Sequence, residues 1–204
     1  MILNKKLMKY VENNIFPKYD KNDNGHKIDH IKYVINRCFK LSKGKDIDLN
    51  MLFVIASYHD IGYHINSKNH EIVSAQIMYK DEKLKTFFNK AQLKIMKEDH
   101  RASLDREPRS IYGKLISSAD RNVDVDESLR RIYIYSIENL KNLTRTEHIE
   151  ECYKHALKKF GKNGYSRFFF EDKEYKNYLA ELQYLLNNKE EFIIRFNKII
   201  SEIE

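Results

Sequence analysis

Apolar positions recur every three or four residues along most of this chain, the spacing of helices that bury one face. Residues 2–16 predict a short amphipathic helix, and Tyr19 to Gly25 a polar turn. From His26 to Leu41, residues Ile28, Ile31, Val34, Ile35 and Cys38 fall at helical spacing, and Gly44 closes that helix. Leu49–His59 is apolar almost all round, so it predicts a central buried helix, ended by Gly62. Ser67 or Asn69 caps the next helix, which carries Ile72, Val73, Ala75, Ile77 and Met78. A helix over Lys90–His100 follows, then an arginine-rich loop to Arg109. Another helix runs from Ser110 to about Arg121, with Pro108 near its start.

Beyond Val125 the pattern stays helical, with amphipathic segments near 127–140, 147–160 and 172–203. Gly161 and Gly164 punctuate a loop before Phe168, Phe169 and Phe170. Two prolines and six glycines in 204 residues are too few for the many turns of a β-sandwich or barrel. The expected fold class is all-α. Residues 1–125 form a helical core that carries the chemistry, and residues 126–204 a C-terminal helical extension packing on the same domain.

Charge narrows the partners. A formal net charge of +7 and a pI near 9.1 favour anions: nucleotides, phosphates or nucleic acid. The lysines are spread along the chain as on a solvated surface, and no helix-turn-helix, zinc finger or basic aromatic motif favours nucleic acid. Cys38 and Cys152 are far apart, which suits a reducing cytosol and gives no disulfide framework. Lys5, Lys6 and Lys9 break the first apolar run, so no signal peptide is expected. The longest uncharged apolar stretch, Leu49–Tyr58, is half the roughly 20 residues that span a bilayer. The expected location is the cytoplasm.

Histidine placement carries the chemistry. Six of eight histidines lie within residues 26–100. His59 and Asp60 end the apolar helix, where an ionised aspartate is costly unless paired or coordinated. His30 lies at the edge of the stripe formed by Ile31, Val34 and Ile35. Asp120 ends a buried helix, the end that the helix dipole makes unfavourable for an acid. Three helices thus deliver imidazole or carboxylate at the end of apolar stretches. Two histidines and two aspartates make a nitrogen–oxygen site for Fe, Mn, Mg, Zn or Co.

These residues, in this order, resemble a known family. His30 in His-Ile-Lys-Tyr-Val34, then Tyr58-His59-Asp60-Ile-Gly-Tyr63, then Ser118-Ala-Asp120-Arg121, look like the H…HD…D signature of the HD-domain metal-dependent phosphohydrolases. The match spans about residues 26–125. His26 is a rival first ligand, four residues before His30 on what reads as the same helix face. The family pattern aligns with His30, although Tyr33 stands where the family usually has Arg, and His26 then lies near the substrate.

The resemblance implies further roles. His30, His59, Asp60 and Asp120 would hold the first ion. In dinuclear branches two more histidines hold a second ion bridged by the HD aspartate, and His70 and His100 fit their order. Arg101, Arg106, Arg109 and Arg121 flank the later motif elements, and guanidinium forks bind phosphate oxygens in pairs. With His26 they are the candidate phosphate-binding residues. Asp60, His64 at the cleft rim and Arg101 are the candidate catalytic ones.

The implied reaction is hydrolysis of a phosphate ester or anhydride of a nucleotide or other small phosphorylated metabolite. One or two divalent ions would lower the pKa of bound water from about 15.7 to about 7. Arginines and His100 would neutralise transition-state charge. Two alternatives accompany this reading: an iron-dependent oxygenase on the same ligand set, and a non-catalytic nucleotide- or RNA-binding helical module. The C-terminal third is expected to cover the cleft, form a homodimer face or complete the core.

Overall fold

The computed structural model describes residues 3–98, 107–166 and 168–203. Among them the chain is all-α, and it divides into two compact units, Met1–Arg121 and Asn122–Glu204.

The first unit contains α1 (Lys5–Asn14), α2 (Ile28–Leu41), α3 (Leu49–Tyr58), α4 (His70–Lys80), α5 (Lys90–Glu98) and α6 (Ile111–Ala119). Short 3₁₀ turns join them at Phe16–Lys21, Asn24–His26, Ser67–Asn69 and Leu84–Thr86. Helix α3 is the hub, packing against α1, α2, α4, α5 and α6. Its sequence explains this: every residue from Met51 to Tyr58 is buried. Each fully buried aliphatic or aromatic side chain contributes about 1.5–3 kcal/mol. Asp48 caps α3 by accepting the N–H groups of Asn50 and Met51, and its own N–H donates to the Tyr112 hydroxyl at 2.9 Å, tying α3 to α6.

Several boundaries depart from the sequence expectation. The first helix spans ten residues, not fifteen, and its polar sequel is a 3₁₀ turn with a buried anchor. Tyr19 in that turn is fully buried, and its hydroxyl donates to the Ser57 carbonyl at 2.9 Å. His26 does not share a helix with His30. It ends the 3₁₀ turn Asn24–His26, and Lys27 is extended (φ −83°, ψ 178°) before α2 begins. Helix α3 stops at Tyr58, leaving His59 as its C-cap. Neither Ser67 nor Asn69 caps α4 with a side-chain hydrogen bond. The Asn66 side chain caps the preceding 3₁₀ turn instead.

The second unit holds α7 (Val125–Asn139), α8 (Arg145–Phe160), α9 (Lys173–Asn187) and α10 (Lys189–Ser201). The amphipathic segment 172–203 is two helices broken at Asn188. Thr144 and Glu147 form a reciprocal capping box at the start of α8. The core of this unit is aromatic-rich, around Tyr133, Phe160, Tyr175, Tyr178, Phe192 and Phe196. Within it Ser136 and His148 are buried and bonded to each other, Oγ to Nδ1, at 2.8 Å. Cys38 and Cys152 are buried free thiols, and burial pushes the Cys152 thiol up to about 11. Among the described residues no helix is long and apolar enough to cross a membrane.

Candidate metal centre

Helix α2 brings His30, the C-terminal end of α3 brings His59 and Asp60, and the C-cap of α6 brings Asp120. Each of the four offers one ligand atom, and these atoms all lie within 4.8 Å of one another. His30 Nε2 lies 3.0 Å from Asp120 Oδ1 and 3.5 Å from Asp60 Oδ2. His59 Nε2 lies 3.2 Å from Asp60 Oδ2 and 3.8 Å from Asp120 Oδ1. His59 and Asp60 are buried, at 2% and 4% exposure. The convergence follows from packing: α2, α3 and α6 touch pairwise, so ends that are far apart in sequence share one mouth.

His59 is the test of whether these residues suit a cation. Its Nδ1 faces the Ala56 carbonyl at 2.7 Å. A carbonyl only accepts, so Nδ1 carries the proton and, in the neutral ring, Nε2 keeps a bare lone pair. That Nε2 is buried and has no hydrogen-bond partner among the described residues, although two carboxylates stand nearby. A buried lone pair aimed between two carboxylates is an unmet need that a divalent cation satisfies, and two nitrogens with two oxygens are a common donor set for one.

The electrostatics agree. Burial works against charge on Asp60, but the neighbouring His59 and His30 rings outweigh it and hold its carboxyl well below the usual range. Burial likewise opposes charge on Asp120, yet the bond from His30 and the charge of the neighbouring His59 ring bring it down to about 2. In return, the His30 and His59 rings are raised above their ordinary value despite burial, because both carboxylates favour positive charge there. The site therefore demands cations, whether as ring protons or as a metal.

His70, at the start of α4, stands on the other side of Asp60. Its Nε2 is 3.3 Å from Asp60 Oδ1, and its Nδ1 is tied to the Ser67 carbonyl at 2.8 Å. The two oxygens of Asp60 thus face different histidines: Oδ2 faces His30 and His59, and Oδ1 faces His70.

His26 lies just outside this group. Its ring stacks on Tyr63 at 3.7 Å and sits 6.0 Å from the His30 ring and 6.4 Å from the His70 ring. Its Nδ1 pairs with Asp23 Oδ1 at 2.6 Å. Burial works against charge on Asp23, but the His26 partner, helped by the Tyr63 hydroxyl, holds its carboxyl below the ordinary value. His64 is exposed, and both its N–H and its Nδ1 lie 3.1 Å from Asn22 Oδ1. Arg109 is exposed, and Arg121 is half-buried directly after Asp120. His100, Arg101 and Arg106 lie outside the described residues.

Residues 28–122 match the family model of the HD domain. This part of the chain is an HD domain. The matched span of the HD domain contains all four clustered residues, together with His64 and His70. A solved structure, of a predicted HD superfamily hydrolase from an uncultured Thermotogales bacterium, is similar at 22% identity. It covers 76% of this chain and 87% of that one, with a TM-score of 0.48, a level of likeness that transfers no activity. Among curated proteins none matches this chain.

One contributor beside the HD centre has no sequence signal. Asn22 reads as part of a turn-forming run, Asp20-Lys-Asn22-Asp-Asn-Gly25, in which any of several polar residues would serve. Its partners lie 38 and 42 positions away, so only the folded chain reveals them.

Proposed function

We propose that this protein is a metal-dependent phosphohydrolase acting on a phosphate ester or anhydride of a small metabolite, a nucleotide being the leading class. The observation that carries this is the buried, unbonded His59 Nε2 aimed between the carboxylates of Asp60 and Asp120, within an HD domain. His30, His59, Asp60 and Asp120 would hold a divalent cation. When bound, such an ion supplies Lewis acidity, polarising a phosphoryl oxygen and lowering the pKa of water towards neutrality.

The residues of the chain do the rest. The Ala56 carbonyl keeps the His59 ring in one tautomer and one orientation. Asp60 stays ionised at neutral pH, so it can hold a cation and accept a hydrogen bond from the attacking water. Arg109 and Arg121, with Arg101 and Arg106, are the proposed phosphate-binding residues, since guanidinium forks match phosphate oxygens. We further propose that His70, His100 and Asp60 would together hold a second ion. The opposed faces of the Asp60 carboxylate, Oδ2 to His30 and His59 and Oδ1 to His70, support that arrangement.

The test combines elemental analysis of the purified protein with a screen of nucleotides and phosphoesters under Mn, Mg, Fe, Zn and Co. The expected result is phosphate release that follows metal content and is lost in Asp60→Asn. Turnover that needs redox iron and molecular oxygen, with no phosphate released, would overturn the proposal. Saturation at one metal equivalent, under anaerobic iron and excess manganese alike, would remove the second ion.

A further inference from the structure

We propose that Asn22 is a positioning residue of the centre, which locks His64 into one tautomer and makes its Nε2 a hydrogen-bond acceptor at the rim. The tautomer stands on geometry alone, and only its kinetic consequence rests on the phosphohydrolase reading.

Asn22 is buried at 5% exposure, and every polar position of its carboxamide is used. The two N–H groups of Nδ2 donate to the Asp60 carbonyl at 2.9 Å and the His26 carbonyl at 3.1 Å. Oδ1 accepts from the His64 backbone N–H and from His64 Nδ1, each at 3.1 Å. The orientation of an asparagine amide must be inferred from its partners, and here they leave no choice. Turning it over would set its oxygen against two carbonyl oxygens and its NH₂ against a backbone N–H. Oδ1 therefore faces His64. An amide oxygen only accepts, so the facing ring nitrogen must donate. The proton of the neutral ring sits on Nδ1, and Nε2 is bare.

The same amide binds the main chain of a residue in the metal cluster. The Asp60 carbonyl accepts from Asn22 and also from the Tyr63 N–H at 3.0 Å. The turn from Asp60 to His64 is thereby closed onto one side chain. His64, exposed on that turn, has its ring orientation set by the group that steadies Asp60.

The consequence is one of specificity. A bare imidazole nitrogen cannot donate to a phosphate oxygen. It pairs with a donor instead, such as water or a hydroxyl or N–H group of the substrate. His64 thus reads the non-phosphate part of the ligand, whereas the arginines serve the phosphate.

The deciding experiment is multiple-bond ¹H–¹⁵N NMR of the imidazoles in the ¹⁵N-labelled full chain at about pH 8, above the ordinary histidine range. The His64→Gln variant assigns the signals. The wild-type protein is expected to show His64 with a pyrrole-type Nδ1 and a pyridine-type Nε2, a signature that Asn22→Ala shifts towards averaged values. A wild-type His64 protonated on Nε2 would overturn the proposal, and that spectrum needs no variant to fold. Kinetically, Asn22→Ala and His64→Ala should each lower kcat/KM about 10–100-fold at unchanged metal content. The double variant should be no worse than the more damaging single one. Fully additive losses would overturn the coupling. If the wild-type protein hydrolyses no phosphoester, the functional reading fails, while the NMR result still decides the role of Asn22.

Discussion

Gly62→Ala tests how tightly the turn that carries His59 and Asp60 is pressed against α4. A Cβ at Gly62 would lie 2.7 Å from Val73 Cγ1, 2.8 Å from Val73 Cβ and 2.8 Å from the Ser74 backbone nitrogen. Carbon contacts are comfortable at about 3.5–4.0 Å, so the helix would have to retreat by roughly 1 Å. Val73 is β-branched and has one favoured rotamer in a helix, and the Ser74 nitrogen belongs to the helix backbone; neither can swing aside. The Gly62 N–H also donates to Ser74 Oγ at 2.9 Å, and that bond would lengthen. Overpacking of this kind costs about 1–3 kcal/mol. For a chain of this size each kcal/mol shifts Tm by about 2–4 °C, so thermal denaturation should show a fall of roughly 2–12 °C. The same retreat carries His70 away from Asp60 Oδ1, so metal uptake measured by titration should weaken alongside. Adding Val73→Ala removes the Cγ1 clash and leaves those with the residue 73 Cβ and the Ser74 nitrogen, so the double variant should recover only part of the loss. An unchanged Tm in Gly62→Ala, or full recovery in the double variant, would refute this reasoning.

Asp60→Ala and His30→Ala should both abolish stoichiometric metal in elemental analysis, while His26→Ala keeps it. Metal loss confined to the His26 variant would reverse that assignment. Tyr10 and Tyr58 both donate to Asp81 Oδ2 at 2.6 Å, and burial, with the Asp81 carboxylate, pushes the Tyr10 phenol up to about 12. The folded state holds that proton more tightly than the unfolded one. Its stabilisation is therefore present below pH 10 and disappears as the pH rises through about 12. Tyr10→Phe should flatten the alkaline limb of denaturation between those values, and an unaltered limb would count against it. Ser136→Ala should leave His148 Nδ1 buried without its partner, lowering stability by about 1–3 kcal/mol in chemical denaturation. An unchanged midpoint would show that the pair is energetically idle.

The parts of this molecule that the sequence reveals are those written in periodicity. Helix α3 is legible because it is apolar all round, and His59, Asp60 and Asp120 stand out because polar groups at the ends of such helices need a reason. His30 is legible for the same reason, at the margin of a clear stripe. What stays hidden depends on contacts between distant segments. Tyr19 lies in a run of polar residues yet is fully buried, because its hydroxyl finds the Ser57 carbonyl 38 positions on. His26 scans as helical at four-residue spacing from His30, but the extended Lys27 starts α2 afresh and leaves His26 to stack on Tyr63. Asn22 has the composition of a turn and the connections of a hub.

The tethers of the histidines differ in a way that bears on how the protein can change. His59 and His70 are held through Nδ1 by the Ala56 and Ser67 carbonyls, each three residues back along the chain. Every residue type supplies a carbonyl, so no single codon change at 56 or 67 deletes those acceptors. His26 and His64 are held by side chains, the Asp23 carboxylate and the Asn22 carboxamide. One nucleotide substitution can remove or replace either. Mutational access is thus graded across the site. Of the rings that face Asp60, His59 and His70 are protected by the backbone itself, and His26 and His64 around them are open to retuning one step at a time, so a descendant could acquire a new ligand preference while the orientation of those two inner rings is inherited intact.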